Sequence, residues 1–290
     1  MSTTTSIEWT QTTWNPTTGC DRISPGCDHC YALTLAKRLK AMGQPKYQTD
    51  GDPRTSGPGF GVAMHEAVLA EPLRWRKPRV VFVDSMADLA HAKVSRAFLV
   101  RVWAVMAATP QHTYQILTKR PERLRAILTD QGCGCPHPHE PGRHFSGDVA
   151  AEAARLGGGA ALERAGVWPL PNVWLGTSIE SDGYARRAAV LRQVPAALRF
   201  LSLEPLLGPL PSLDLAGIDW VIVGGESGPG HRPLDLDWVR DLRDRCSRRG
   251  IAFFFKQWGG RTPKAGGRLL EGRTWDELPR RTVTAPAGTS

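Results

Sequence analysis

The segment NVWLGTSIE, residues 172–180, decides the fold class, because it begins as an apolar run that favours a β-strand and ends in polar residues. Other segments repeat this pattern, and amphipathic helical stretches at residues 95–109, 121–128, 184–194 and 236–250 lie between them. Such alternation is typical of a parallel sheet built from βα units. The other predicted strands are RVVFVDS (79–85), HTYQILTKR (112–120), LRFLSLEP (198–205), DWVIVGGES (219–227) and IAFFFKQW (251–258).

With a first strand just before residue 20, the predicted strand count is about seven or eight, which indicates a full or partial (βα) TIM-like barrel. A chain of 290 residues with 41% hydrophobic content is long enough to bury one large core. We therefore expect a single α/β domain at residues 1–281, with an insertion at 129–168 where the pattern breaks. Residues 282–290 have the composition of a disordered tail.

Cysteines define the most specific motif, TWNPTTGCDRISPGCDHCYA at residues 13–32, in which Cys20, Cys27 and Cys30 precede a helical pattern at 31–43. Three clustered thiols beside a helix start suit a metal centre. A structural zinc normally takes four protein ligands, whereas three thiolates on a four-iron, four-sulfur cluster leave one iron open. The alternative is a zinc site completed by His29 or by a distant Cys or His. The N-terminal MSTTTSIEWT has no export signal, so disulfides are not expected and the expected location is the cytoplasm.

Polar side chains follow each predicted strand, at the edge where βα barrels build their active sites. Any one of them alone would be read as a helix cap or a solvated loop residue, but their recurrence predicts a functional rim. They are Asp84, Ser85 and Asp88; Thr118, Lys119 and Arg120; Thr177, Ser178 and Glu180; Ser202 and Glu204; Glu226 and Ser227; and Lys256 and Gln257.

A formal net charge of +9 favours anionic partners such as nucleic acid or nucleotides, although much of the excess lies on predicted helix faces. No apolar run is long enough to cross a bilayer, so no membrane partner is expected. The predicted insertion contains candidate ligands for a second metal, zinc or another cluster, although Pro- and Gly-rich loops also gather such residues by chance. These candidates are Cys133, Cys135, His137, His139 and His144.

Several motifs together resemble a known family, the phage- and prophage-associated three-Cys-motif proteins of unknown function that are related to the radical SAM superfamily. The resemblance covers nearly the whole chain and implies a radical SAM-type barrel with a 4Fe-4S cluster and S-adenosylmethionine (SAM). The motifs are IEWTQTTWNPTTGC with SPGCDHCYA, PLRWRKPRVVFVDSMADL, LTKRPERL, PNVWLGTSIE, LSLEPLLGPL, DWVIVGGESGPG and FFFKQWGG.

The resemblance also implies roles for single residues. Cys20, Cys27 and Cys30 would be cluster ligands, and the open iron would chelate the methionine part of SAM. One-electron reduction would then release a 5′-deoxyadenosyl radical that abstracts a hydrogen from the substrate. An electron donor such as flavodoxin or ferredoxin and a nucleotide or nucleic-acid substrate are the expected partners. The candidate cofactor-binding residues are Asp84, Ser85, Ser178, Glu180 and His29, and the candidate catalytic residues are Glu204, Glu226, Lys119 and Lys256.

The sequence departs from the superfamily pattern in its longer first cysteine gap and in the late position of its glycine-rich VGGESGPG, residues 223–230. That segment is read either as a nucleotide-binding loop or as a turn before the next helix. Two other function classes stay open. One is a non-catalytic protein in which zinc or an iron-sulfur cluster staples a nucleic-acid-binding surface, and the other is a SAM-dependent transferase.

Overall fold

A computed structural model of the protein describes Thr5 and residues 7–131, 143–157, 167–262 and 264–279. Its main sheet contains seven parallel strands, and a separate two-stranded antiparallel pair lies near the N-terminus. The strands of the main sheet are β1 (Thr12–Trp14), β4 (Val80–Val83), β5 (Thr113–Thr118), β6 (Val173–Ser178), β7 (Leu198–Leu203), β8 (Trp220–Gly224) and β9 (Ala252–Gln257), and those of the pair are β2 (Thr17–Thr18) and β3 (Ala63–Met64).

Each strand of the main sheet pairs with the next one along the chain, in the order β1-β4-β5-β6-β7-β8-β9. This sequential order of parallel strands is that of a (βα) barrel. Within the described residues β1 and β9 form the two edges and do not pair with each other, so the barrel is partial. The predicted fold class is confirmed. The strands are shorter than predicted, and most of the polar residues lie just beyond their C-terminal ends.

Helices cover the outer face of the sheet, and their ends follow local signals. Ser95 caps α2 (Arg96–Ala108) by accepting a hydrogen bond from the Phe98 amide at 3.2 Å, and Gly250 ends α6 (Leu236–Arg249) in the left-handed conformation with φ 64°. None of the helices in the described ranges has the length and apolarity to cross a membrane. The helices are α1 (Tyr31–Ala41), α2 (Arg96–Ala108), α3 (Pro121–Leu128), α4 (Arg143–Gly157), α5 (Arg186–Leu191) and α6 (Leu236–Arg249).

Part of the predicted insertion is the helix α4, which packs against α2. Phe145, Val149 and Ala153 are fully buried and lie four residues apart, so they form one apolar face of α4. Trp103 of α2 meets the Phe145 ring edge-on at a centroid distance of 5.7 Å. The carboxylate of Asp130 accepts the Phe145 amide at 3.1 Å and so caps the first turn of the helix.

The sheet separates two apolar cores. The larger one lies between the sheet and the helices, and the smaller one fills the concave face and contains no residue from a helix. Trp9, just before β1, sits in the smaller core, 4.7 Å from the Phe82 ring and 6.1 Å from the Trp220 ring. Trp9 is therefore a packing residue. The buried members of this inner core are Trp9, Phe82, Trp174, Leu198, Phe200, Trp220, Ile222 and Phe254.

A matched pair of glycine substitutions tests the packing of this inner core. A methyl group at Gly176 would lie 2.5 Å from the Phe200 ring, whereas one at Gly147 in α4 would meet nothing within 4 Å. We expect Gly176→Ala to lower the free energy of unfolding by about 1–3 kcal/mol because the core is overpacked. Gly147→Ala should raise it by about 0.5–1 kcal/mol, since alanine favours a helix. Urea denaturation measures both, and equal effects of the two substitutions would contradict the packing described here.

Candidate active site

Along β4, β6, β7, β8 and β9 the inward-facing side chains change from aromatic residues to polar or charged ones. Because successive strand residues point to opposite faces, Trp174, Gly176, Ser178 and Glu180 lie on the same side of β6 and its extension. The neighbouring strands repeat the sequence of an apolar base followed by polar or charged groups at the C-terminal end. This inner rim is formed by Asp84, Lys119, Glu180, Glu204, Glu226 and Lys256, which includes the four predicted catalytic residues.

The cysteine loop, residues 19–30, follows the short strand β2 and ends where α1 begins. Cys20, Cys27 and Cys30 are free thiols and are partly exposed. Burial raises the pKa of Cys20 to about 12, and it also raises the pKa of Cys30. A metal binds the thiolate form of cysteine, whereas the raised pKa values favour the neutral thiol. Metal binding by Cys20 and Cys30 would therefore release protons.

Nowhere in the described ranges are three or more His, Cys, Asp or Glu side chains gathered closely enough to hold one metal ion. A structural zinc needs its ligands around a single centre. A four-iron cluster spreads its thiolate ligands over different irons, so its donors need not meet at one point.

The cysteine loop lies directly on the inner rim. A Cβ atom placed on Gly26 would lie 3.2 Å from the Cβ atom of Glu180, so this glycine allows a close approach between loop and strand end. Arg232, after β8, donates from Nη2 to the Pro25 carbonyl oxygen at 2.9 Å. The loop is thus tied to the ends of β6 and β8, and its cysteines flank the inner rim.

Glu226 forms an ion pair with Arg232 in which both carboxylate oxygens accept hydrogen bonds. It accepts hydrogen bonds from the Arg232 backbone amide and Nε atom, each at 2.9 Å, and a third contact joins Arg232 Nη2 to Oε1. His29 Nδ1 lies 3.0 Å from Glu226 Oε2. Burial opposes ionisation, but the hydrogen bonds from Arg232 and His29 outweigh it and lower the pKa of Glu226 to about 2. Glu226 and His29, predicted as catalytic and cofactor-binding residues, therefore hold the cysteine loop against β8.

Glu180 is fully buried and only half satisfied. Its Oε2 atom accepts a hydrogen bond from Arg187 Nη1 at 3.1 Å and lies 4.0 Å from Lys119 Nζ. Its Oε1 atom has no hydrogen-bond partner among the described residues. Arg187 also donates to the Ser178 carbonyl oxygen at 2.9 Å, and its guanidinium stacks on the Tyr184 ring. An unpartnered buried carboxylate oxygen is costly, so a ligand that donates there would be stabilising.

Glu204 and Lys256 form a second ion pair on the inner rim, where Glu204 follows β7, the neighbour of β6, and Lys256 lies on β9. Lys256 Nζ lies 2.5 Å from Glu204 Oε1, and the side chains are 19% and 20% exposed. Glu204 passes over Gly224, where an added Cβ atom would lie 3.3 Å from its carboxyl carbon. Glu204 thus reaches from the end of β7 across β8 to β9. This pair is therefore partly exposed within the rim.

Asp84 and Ser85, predicted as cofactor-binding residues, contact the N-terminal segment of the protein. The carboxylate of Asp84 accepts hydrogen bonds from the backbone amide of Thr17 at 2.9 Å and from the Thr17 hydroxyl at 2.5 Å. Burial raises the pKa of Asp84 to about 7. Ser85 Oγ donates to Asn15 Oδ1 at 3.0 Å. Both predicted residues thus connect the end of β4 to the segment that leads into the cysteine loop.

Sequence reasoning missed two arginines that organise the rim, Arg187 and Arg232. Arg187 shares one helical face with Tyr184, Ala188 and Leu191, so helical periodicity alone would have placed it among buried residues. No comparable signal marks Arg232, which lies in a loop. Of the predicted second metal site, Cys133, Cys135, His137 and His139 lie outside the described residues, and His144 is exposed on α4.

A family model described as "Protein of unknown function (DUF5131)" matches residues 4–279. No curated protein matches the sequence. Among solved structures, spore photoproduct lyase complexed with dinucleoside spore photoproduct is similar at 10% identity and a TM-score of 0.40, over 86% of this chain and 64% of that one. A cysteine-to-serine mutant of that lyase is similar at 11% identity and a TM-score of 0.43, over 78% of this chain and 58% of that one. The chain thus spans less than two thirds of the length of these proteins.

The role of Glu226 in anchoring the loop predicts a pH-dependent loss of stability. At pH 7 we expect Glu226→Gln to lower the free energy of unfolding by about 2 kcal/mol, because charged hydrogen bonds are lost. Since folding lowers the pKa of Glu226 from 4.5 to about 2, the difference from the wild type should shrink as the pH falls below about 4.5. Urea denaturation between pH 7 and pH 3 measures this difference in the free energy of unfolding.

Glu122→Gln is the matched control for this experiment, because Glu122 pairs with Arg186 on the surface with 42% of its side chain exposed. Its effect should stay below about 1 kcal/mol at every pH. A Glu226→Gln effect that is equally small, or that does not change with pH, would contradict the anchoring role.

Proposed function

The chain belongs to the DUF5131 family of proteins of unknown function, and we propose that it is a radical SAM enzyme. In this proposal Cys20, Cys27 and Cys30 hold a 4Fe-4S cluster at the inner rim, SAM binds beside it, and the substrate enters the partial barrel. One observation carries the proposal: three free cysteines flank a rim on which the fully buried Glu180 has an oxygen without a hydrogen-bond partner in the part of the chain that the structure describes. Thiols for the metal and a buried acceptor for the co-substrate are thus side by side.

The residues of the loop fit the cluster. They supply three thiol donors, and in this proposal the fourth iron of the cluster would keep a coordination position for a ligand. When bound, a reduced cluster supplies the electron that cleaves the sulfonium of SAM and starts radical chemistry. That electron would come from a low-potential donor such as flavodoxin or ferredoxin. The protein supplies the binding groups and excludes water.

Glu180 is the residue that we assign to SAM most directly. The amino group and the ribose hydroxyls of SAM are hydrogen-bond donors, and Glu180 Oε1 is an acceptor that no described residue bonds. Ser178 faces inward from the same strand and would assist on the ribose side. Asp84 and Ser85 would act on the methionine side by fixing the segment before the cysteine loop, through Thr17 and Asn15.

Glu204, Lys256 and Lys119 are the groups that we assign to the substrate. The Glu204–Lys256 pair is partly exposed within the rim, and Lys119 is 17% exposed beside Glu180. Ammonium groups at a concave rim favour an anionic substrate, and the net charge of +9 also favours one. We propose a nucleotide or nucleic acid as the substrate class.

Anaerobic reconstitution with iron and sulfide tests the proposed activity. The wild type should become brown and, with dithionite, should convert SAM to 5′-deoxyadenosine. Cys27→Ala should abolish both properties because the cluster loses a ligand, whereas Cys246→Ala should keep both, since Cys246 is buried in α6. Iron analysis, electron paramagnetic resonance and product analysis by mass provide the measurements.

Other outcomes identify the other function classes. A colourless wild type that contains zinc and is inert to dithionite would refute the proposal. Salt-dependent nucleic-acid binding that survives Cys27→Ala would instead indicate a metal-stapled binding protein. Transfer of a methyl or aminocarboxypropyl group, detected as a mass increase of the acceptor, would indicate a transferase.

The assignment of Glu180 gives a separate prediction. We expect Glu180→Gln to weaken SAM binding about tenfold, which corresponds to about 1.4 kcal/mol and to the loss of one charged hydrogen bond. Glu204→Gln removes the same charge from the end of the neighbouring strand, where Glu204 already has Lys256 as its partner, and should change SAM affinity less than about threefold. Equilibrium binding to the reconstituted protein measures both, and equal affinities of the two variants would refute the assignment.

A further inference from the structure

Arg120 connects the end of β5 to the first cysteine of the loop. Its Nη1 atom lies 3.3 Å from Cys20 Sγ and 2.7 Å from Asp88 Oδ2, and its Nη2 atom donates to the Asp21 carbonyl oxygen at 2.9 Å. The side chain is 15% exposed. The guanidinium therefore lies between a thiol and a carboxylate, largely shielded from water.

Asp88, on one side of this guanidinium, is held firmly in position. Its carboxylate accepts hydrogen bonds from Thr118 Oγ1 at 2.7 Å, from the Lys119 amide at 3.2 Å and from the Ala90 amide at 3.0 Å. With these donors Asp88 stays oriented, and it fixes Arg120 in turn.

Asp21, on the other side, is equally constrained. Its carboxylate lies 2.9 Å from His91 Nε2 and accepts a hydrogen bond from Thr55 Oγ1 at 2.6 Å. The Asp21 carbonyl oxygen, which accepts the hydrogen bond from Arg120, is thereby fixed next to Cys20. Of the three cysteines, Cys20 is the one for which the described structure shows a contact with a guanidinium.

We propose that Arg120 tunes the reduction potential of the cluster through Cys20. This inference rests on the proposed function. An N–H donor and a positive charge at a ligating sulfur stabilise the reduced cluster, which carries one more negative charge, and so raise its potential. Asp88 carries a negative charge and therefore lowers the reduction potential. Arg120 acts through Cys20 and is a positioning residue that also sets the charge at one ligand.

The contact itself can be tested in the metal-free protein. A guanidinium beside Cys20 attracts an anionic reagent, so the rate ratio of iodoacetate to iodoacetamide at Cys20 should fall severalfold in Arg120→Gln. The ratio at Cys27 should not change. Arg123→Gln is the matched control, because Arg123 carries the same charge one turn away and donates to the Val94 carbonyl oxygen. Mass spectrometry of the peptides gives the rates, and an unchanged ratio at Cys20 would refute the contact.

Potentiometric titration of the reconstituted protein, followed by electron paramagnetic resonance, tests the tuning. Arg120→Gln should disfavour one-electron reduction about tenfold, which is a potential lower by about 59 mV. Asp88→Asn should shift the potential upward, Arg120→Lys should lie between wild type and Arg120→Gln, and Arg123→Gln should stay near the wild type.

Opposite shifts for Arg120 and Asp88 distinguish charge tuning from general disruption, and the Arg120→Lys and Asp88→Asn variants keep the test valid if Arg120→Gln does not fold. Shifts in the same direction, or none, would overturn the tuning role while leaving the proposed function intact. A wild type that takes up no iron would overturn the proposed function and the tuning with it, whereas the alkylation result would still decide whether Arg120 contacts Cys20.

Discussion

The parallel alignment of seven strands is the constraint on which the rest of the structure depends. Because side chains alternate between the two faces, the same register that places Trp174, Phe200 and Trp220 in the inner core places polar groups further along the same strands. Aromatic rings fill the base of the barrel, and charged groups lie at the C-terminal ends of its strands. The position of the inner rim therefore follows from packing at the other end of each strand.

Burying charge at this rim is unfavourable unless each group has a partner. The structure meets this condition with arginines that come from outside the strands. Arg232 saturates Glu226, Arg120 pairs with Asp88, and Arg187 covers one oxygen of Glu180. The remaining Glu180 oxygen is the exception, and in the proposed function it is where the co-substrate completes the hydrogen bonding.

The same ion pairs determine where the cysteines lie. A loop of twelve residues with three glycines or prolines has little apolar area of its own to hold it in place, so polar contacts set its position. Glu226 with Arg232 holds the second half of the loop, and Arg120 holds the first half at Cys20. A change at either pair should therefore affect the metal ligands without touching them.

The sequence by itself determined the fold class, the cysteine motif and the strand ends that meet at the rim, because local hydrophobic pattern and residue type carry this information. It could not separate the strand-end residues into those that bind a ligand and those that hold the loop. Glu180 and Glu226 have the same position relative to their strands, yet one Glu180 oxygen has no partner within the described ranges, whereas both Glu226 oxygens accept hydrogen bonds. Only the tertiary structure decided this difference, because the partners Arg187 and Arg232 come from segments whose approach depends on packing rather than on local pattern.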